Sequence, residues 1–108
     1  MGRREGGAAE GVIRRVIVQP AATRDIREAR QWYRGVSHGL ANDFLAAVDA
    51  AIALAKERPL AFQLVHRSFR RILLRRFPYA LFYLAEADRI VIVAVLSQAR
   101  HPNLLDGR

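Results

Sequence analysis

The sequence predicts an α+β domain in the order β-α-α-β-β-β, an antiparallel sheet with a helical hairpin packed on one face. Three observations carry this expectation. The apolar period is strand-like over 12–19, helical over 21–56 and strand-like again over 70–96. Prolines and glycines mark the changes, at Pro20, Gly35, Gly39, Pro59 and Pro78. Residues 90–96, IVIVAVL, are apolar on both faces, as in a strand covered on each side of its sheet.

Residues 1–11 are glycine-rich and aperiodic and read as a flexible N-terminal tail; 12–108 read as a single domain. Val12–Gln19 is rich in β-branched residues and stops at Pro20, with Arg14 and Arg15 breaking alternation as on an edge strand. Ala22, Ile26, Ala29, Tyr33 and Val36 then trace one face of a helix. Thr23 is its expected N-cap, and Asp25 falls in a first turn that favours an anion. Trp32 lies at the margin of the apolar stripe and is expected to flank the core.

Leu40, Phe44, Val48, Ala51 and Ala55 form the stripe of a second helix, closed by Pro59. The short GVSHGL connection makes the two helices an antiparallel hairpin, with His38 as a surface or cap residue. Residues 60–68 look irregular, ending near the start of a strand. Strands are expected at 70–76, with Ile72 and Leu74 opposite Arg71, Leu73 and Arg75, then at 79–85 and 90–96. The last three strands form a meander, and the first joins an edge of the sheet. The tail from Ser97 reads mostly as loop.

With 52% hydrophobic residues in 108, the chain can fold, burying roughly two thirds of its unfolded surface. It has no cysteine, so disulfides and thiolate chemistry are excluded. Three scattered histidines lack metal-ligand spacing, and no glycine-rich phosphate loop is present, so neither metal nor cofactor is expected. No apolar run is long enough to span a bilayer, and the N-terminus lacks the apolar core of a secretory signal; a cytoplasmic protein is the simplest expectation. The net charge is +8, and Lys56 is the only lysine among eighteen basic residues. Such an arginine surplus points to a polyanionic partner, either nucleic acid or an acidic protein segment.

The segments ATRDIREARQWY, LANDFLAAVDAAI, RRILLRRFPYALFYL and SQARHP, in this order of elements, resemble the RelE/ParE superfamily of bacterial toxins over residues 13–108. The resemblance is closest to the ParE, or plasmid stabilisation, branch. It implies the toxin of a type II toxin–antitoxin module. Its partner would be a cognate, ParD-like and DNA-binding antitoxin whose C-terminal segment wraps around it. ParE members are associated with DNA gyrase, whereas RelE members are ribosome-dependent mRNA endonucleases. The resemblance leaves open a homodimer or a hetero-oligomer with the antitoxin.

Two site assignments follow. As an antitoxin-binding surface, Arg67, Arg70, Arg71, Arg75 and Arg76 would pair carboxylates along a strand with Leu73 and Phe77 between them. The plain alternative is that these arginines are solvated and guard a sheet edge. As a nuclease, Arg71, Arg75 and Arg100 would clamp phosphate and His101 would move a proton, because arginine is a poor base. By resemblance, Arg100, Pro102 and Arg108 fit a C-terminal region linked to the target. Relatives often carry histidine at Ser97 and tryptophan near Leu105, which keeps gyrase, ribosome-bound mRNA and a non-toxic basic nucleic-acid-binding role all open. The arginine-rich strand reads better as a binding surface than as a catalytic centre.

Overall fold

The computed structural model describes residues 15–108; the expected tail and residues 12–14 of the first strand lie outside them. Strand β1 (Arg15–Val18) leads into helices α1 (Pro20–Arg34) and α2 (His38–Glu57). Strands β2 (Leu64–His66), β3 (Phe69–Leu73), β4 (Tyr79–Ala85) and β5 (Arg89–Ser97) follow, then a 3-10 turn at Pro102–Leu105. The sheet order is β1-β5-β4-β3-β2. The meander β2 to β5 is antiparallel as expected. At the edge, β1 runs parallel to β5, so the sheet is mixed rather than purely antiparallel. The three-residue β2 is the strand that the irregular reading of 60–68 only partly foresaw; it is too short for an alternation to show.

Helix α1 begins three residues before its expected cap. Pro20, read as a strand stop, is also a helix start: its fixed φ suits the first helical turn, where the missing N–H costs nothing. Gln19 is the N-cap residue, and Thr23 lies inside the helix. Ser37 caps α2, its hydroxyl accepting the Leu40 N–H at 3.0 Å. His38 is therefore the exposed first residue of that helix rather than its cap. Val36, expected to end the first stripe, falls beyond α1 and is exposed.

The hairpin covers one face of the sheet. Ala22, Ala29, Phe44, Val48, Ala51 and Ala55 pack against Ile72, Leu81, Tyr83, Ile90 and Ile92. Its densest part is aromatic: the Phe44 ring centroid is 5.4 Å from each of Tyr33, Phe77 and Tyr79. Tyr83 is fully buried and donates to the Pro59 carbonyl at 2.6 Å; burial pushes its phenol pKa up.

A bulge sets which β5 residues face each side. Phe82 pairs with Ala94 but Tyr83 with Ile92, so Val93 is an extra residue. Beyond it the alternation reverses. Ile90, Ile92 and Val95 face the helices, while Val91, Val93, Ala94 and Leu96 join a second cluster on the opposite face with Phe69, Ala80 and Phe82. Leu105 of the 3-10 turn is fully buried in that cluster. The tail is thus a folded strap rather than loose loop.

Trp32 is a correction. Its ring stands edge-on to Tyr33 at 5.0 Å, yet it is 65% exposed. At about 100° per residue, a neighbour of the buried Tyr33 turns away from a stripe that only small and aromatic residues fill.

Candidate partner-binding site

The arginine-rich strand ends at an incomplete sheet edge. The Arg71 N–H donates to the Gln63 carbonyl at 3.1 Å, so it points towards β2. Alternation turns the Leu73 amide to the same edge, past the start of β2, where no described strand pairs with it. The Leu73 side chain is 53% exposed on the helix-free face, opposite Ala80. Half-buried Arg71, opposite Phe82, shares that face.

Beyond β3, Arg75 and Arg76 line a recess of 320 Å³ against α2, with Asp43, Ala46, Ala47 and Phe77. The small side chains at 46 and 47 leave the space open. Arg76 sits at φ 71°, in the left-handed region that an arginine occupies at a cost of about 1–2 kcal/mol. Its guanidinium lies 3.5 Å from Asp43, both groups being more than half exposed, and 6.0 Å from the Phe77 ring centre. So loose an exposed pair contributes little, and an incoming carboxylate can displace Asp43. Strain held beside a binding recess is a recurrent mark of functional loops. Arg76→Gly is expected to raise stability by about 1 kcal/mol, seen as a Tm increase of about 4–8 °C, while weakening partner binding. A drop in Tm would show that the Asp43 pair outweighs the strain.

The other expected binding arginines are placed differently. Arg70 faces the helix side and donates to the Phe62 carbonyl at 2.7 Å and the Leu60 carbonyl at 3.4 Å, holding the chain between α2 and β2. Arg67, at φ 51° in the β2–β3 turn, donates to Asp106 at 3.0 Å. His66 Nε2 also meets Asp106, at 2.7 Å. These hydrogen bonds, His66 first and then Arg67, hold the Asp106 carboxyl below the usual carboxylate range. A depressed pKa gives stability that is present above the ordinary carboxylate value and lost as pH falls through the folded value. The Leu105 methyl signals should therefore shift with acid below about pH 4, and Asp106→Asn should abolish that transition. A transition unchanged in the variant would assign it to another carboxylate.

Two residues further on, at the last residue of the strap, Arg108 forks onto Asp25 at 2.7 and 3.3 Å and donates to the Val93 carbonyl at 3.0 Å. Asp25 also accepts the Val95 N–H at 3.1 Å. Arg108, expected to meet a target, is engaged within the chain instead. Asp25 lies past the first turn of α1 and serves the strap, not the helix dipole. Nothing local in the sequence flags this pair, because the partners are 83 positions apart.

The residues of the nuclease reading are not gathered in one place. Arg71 lies on the helix-free face, whereas Arg100 lines a cleft of 220 Å³ beside α1 with Glu28, Trp32, Tyr79 and Ser97. His101 caps the 3-10 turn, its Nδ1 accepting the Asn103 N–H at 3.2 Å, and Pro102 opens that turn. No cluster of three or more metal-ligating side chains occurs among the described residues, and none of their helices is long and apolar enough to cross a membrane.

Fold and site define a small basic α+β domain of the RelE/ParE type, its sheet edge open beside a cationic recess. The family model for the ParE toxin of the type II toxin–antitoxin system parDE matches residues 16–102, and the chain belongs to that family. Among solved structures it is similar to a chain of the chromosomal ParDE toxin–antitoxin system from P. aeruginosa. The TM-score is 0.59 at 14% identity, covering 79% of this chain and 96% of that one, a likeness of fold. No curated protein matches the chain.

Proposed function

We propose that this chain is a toxin neutralised by a cognate ParD-like, DNA-binding antitoxin, and that the free toxin acts in the cytoplasm on DNA gyrase without hydrolysis. The observation that carries the antitoxin half is the open edge at Leu73. An extended segment can pair there, place an aliphatic side chain on Leu73, and set carboxylates against Arg71, Arg75 and Arg76. Arg67 and Arg70 act one step back, by holding the β2 side of that edge in place. The target half rests on family membership, with exposed Arg100 and the turn that Pro102 opens as the contact region and Arg108 as the anchor that positions it.

The separation of Arg71 and Arg75 from Arg100 and its neighbour His101 favours a binder over the mRNA endonuclease. His101→Ala is accordingly expected to leave growth arrest unchanged; loss of arrest together with loss of mRNA cleavage in a folded variant would favour the nuclease. The decisive experiment expresses the chain with and without its neighbouring gene, then runs a gyrase supercoiling assay beside a ribosome-programmed mRNA cleavage assay. Growth arrest relieved by the neighbour, with inhibited supercoiling and intact mRNA, is the expected result. Absence of arrest would sink the toxin reading, and mRNA cleavage would sink the gyrase target. In the antitoxin complex, Leu73→Asp with Arg75→Glu should weaken affinity by about 100-fold or more, because both variants place charge of the wrong sign on the edge.

A further inference from the structure

The outward face of α1 carries a row of arginines that neither the fold nor the edge at Leu73 uses. Arg24, Arg27 and Arg34, with Gln31 between the last two, recur at helical spacing opposite the buried stripe of Ala22, Ala29 and Tyr33. All four are exposed. Among the described residues, none of the three arginines has an ion pair or a side-chain hydrogen bond, although Asp25, Asp43, Glu86 and Asp106 each hold an arginine elsewhere. Of the acids of α1, Asp25 is taken by Arg108, and Glu28, four residues after Arg24, lines the cleft with Trp32 and makes no ion pair with the row among the described residues. At a rise of about 1.5 Å per residue, the row runs about 15 Å along a straight helix.

From this we infer that α1 is a contact surface for the phosphate backbone of duplex DNA. Phosphates follow one another at about 3.4 Å of axis along each strand as it winds around the duplex, so a 15 Å row of three guanidinium groups can meet about two or three of them. Arginine is the planar donor that suits phosphate oxygens. An acidic protein would be expected to need an apolar anchor among the charges, since interface energy concentrates in buried aromatic or aliphatic contacts. Pro20, Thr23 and Gln31, in and beside the row, supply none, and the exposed Trp32 of the same helix turns about 100° away from Gln31. The contact is therefore with backbone, independent of base sequence. It depends on neither the antitoxin nor the gyrase reading, because it uses a different element and different arginines.

The test is fluorescence anisotropy of the full chain with a labelled mixed-sequence duplex of about 20 base pairs, titrated over salt. Each phosphate contact adds about −0.9 to the slope of log K against log salt. Changing Arg24, Arg27 and Arg34 together to Gln should make the slope shallower by about 2–3 and cost at least tenfold in affinity at low salt. Each single change should account for about one unit. Arg71→Gln with Arg75→Gln and Arg76→Gln should leave the slope within about one unit of the parent. The positions are exposed, and an unchanged far-ultraviolet circular dichroism spectrum and Tm verify the fold. Equal slopes for the parent and the α1 variant would overturn the assignment. So would failure of the parent to bind duplex, or polyglutamate displacing DNA from it, which would mark an acidic protein as the occupant.

Discussion

Asp25→Ala is expected to destabilise the protein by about 2–3 kcal/mol, lowering Tm by about 10–20 °C. The carboxylate joins three otherwise separate parts: α1, the edge of β5 beyond β1, and the end of the strap. Its side chain is 11% exposed and that of Arg108 is 21% exposed, so water screens the pair little. Removing the carboxylate leaves a guanidinium with, among the described residues, only the Val93 carbonyl and strips the Val95 amide of its acceptor. Breaking a buried pair from one side costs about 3–5 kcal/mol, and relaxation of Arg108 towards water reduces that here. Arg108→Ala should cost a similar amount, and the double variant less than the sum, with a coupling of about 1–2 kcal/mol. Asp25→Asn, which keeps an acceptor for Val95, should fall between. Chemical denaturation of the four proteins decides it; additive effects would mean that the two side chains act independently.

Phe44→Ala should be costlier still, about 3–5 kcal/mol, because a large fully buried side chain leaves a cavity that its neighbours cannot collapse to fill. Tyr33, Phe77 and Tyr79 surround the ring, so its loss also removes edge-to-face contacts. Domains of this size have about 5–15 kcal/mol of total stability, so a large share of the variant is expected to unfold near 40 °C. Phe44→Leu should retain most of the packing and cost about 1–2 kcal/mol. Because Phe77 anchors the loop that carries Arg76, Phe44→Ala should also weaken the antitoxin complex in the fraction that stays folded. A variant with the parent's Tm would show that the cluster is looser than its geometry implies.

Periodicity made much of the fold legible. The step from Ala22 to Tyr33 and from Phe44 to Ala55 identified the buried sides of both helices, since a helical face repeats within one or two turns. The uninterrupted apolar run at 90–96 identified the strand that is covered on both sides. The parts that failed are those where no period exists. Trp32 needed the exact rotation of α1, β2 was too short to alternate, and the parallel pairing of β1 with β5 joins segments more than 70 positions apart.

The candidate site divides in the same way. That Arg71 and Leu73 share one strand face was visible in RRILLRR, because alternation is a local property of extended chain, but the strand expected over 70–76 ends at Leu73 and leaves Arg75 beyond it. Which of those arginines remain available was not. Arg70 is drawn to two carbonyls, Arg67 and His66 share Asp106, and Arg108 closes on Asp25, each choice made by a partner brought near through folding.

The sequence alone determined the class of the domain, the faces its helices and strands bury, and its positive charge, since these depend on residue type and short-range spacing. The tertiary structure alone decided that the C-terminal strap is latched at Asp106 and Arg108, and that among the described residues the sheet edge is open at Leu73 and the α1 arginines stand unpaired. Those outcomes depend on contacts between residues far apart in the chain, and a charge is free or engaged only once folding has set what lies beside it.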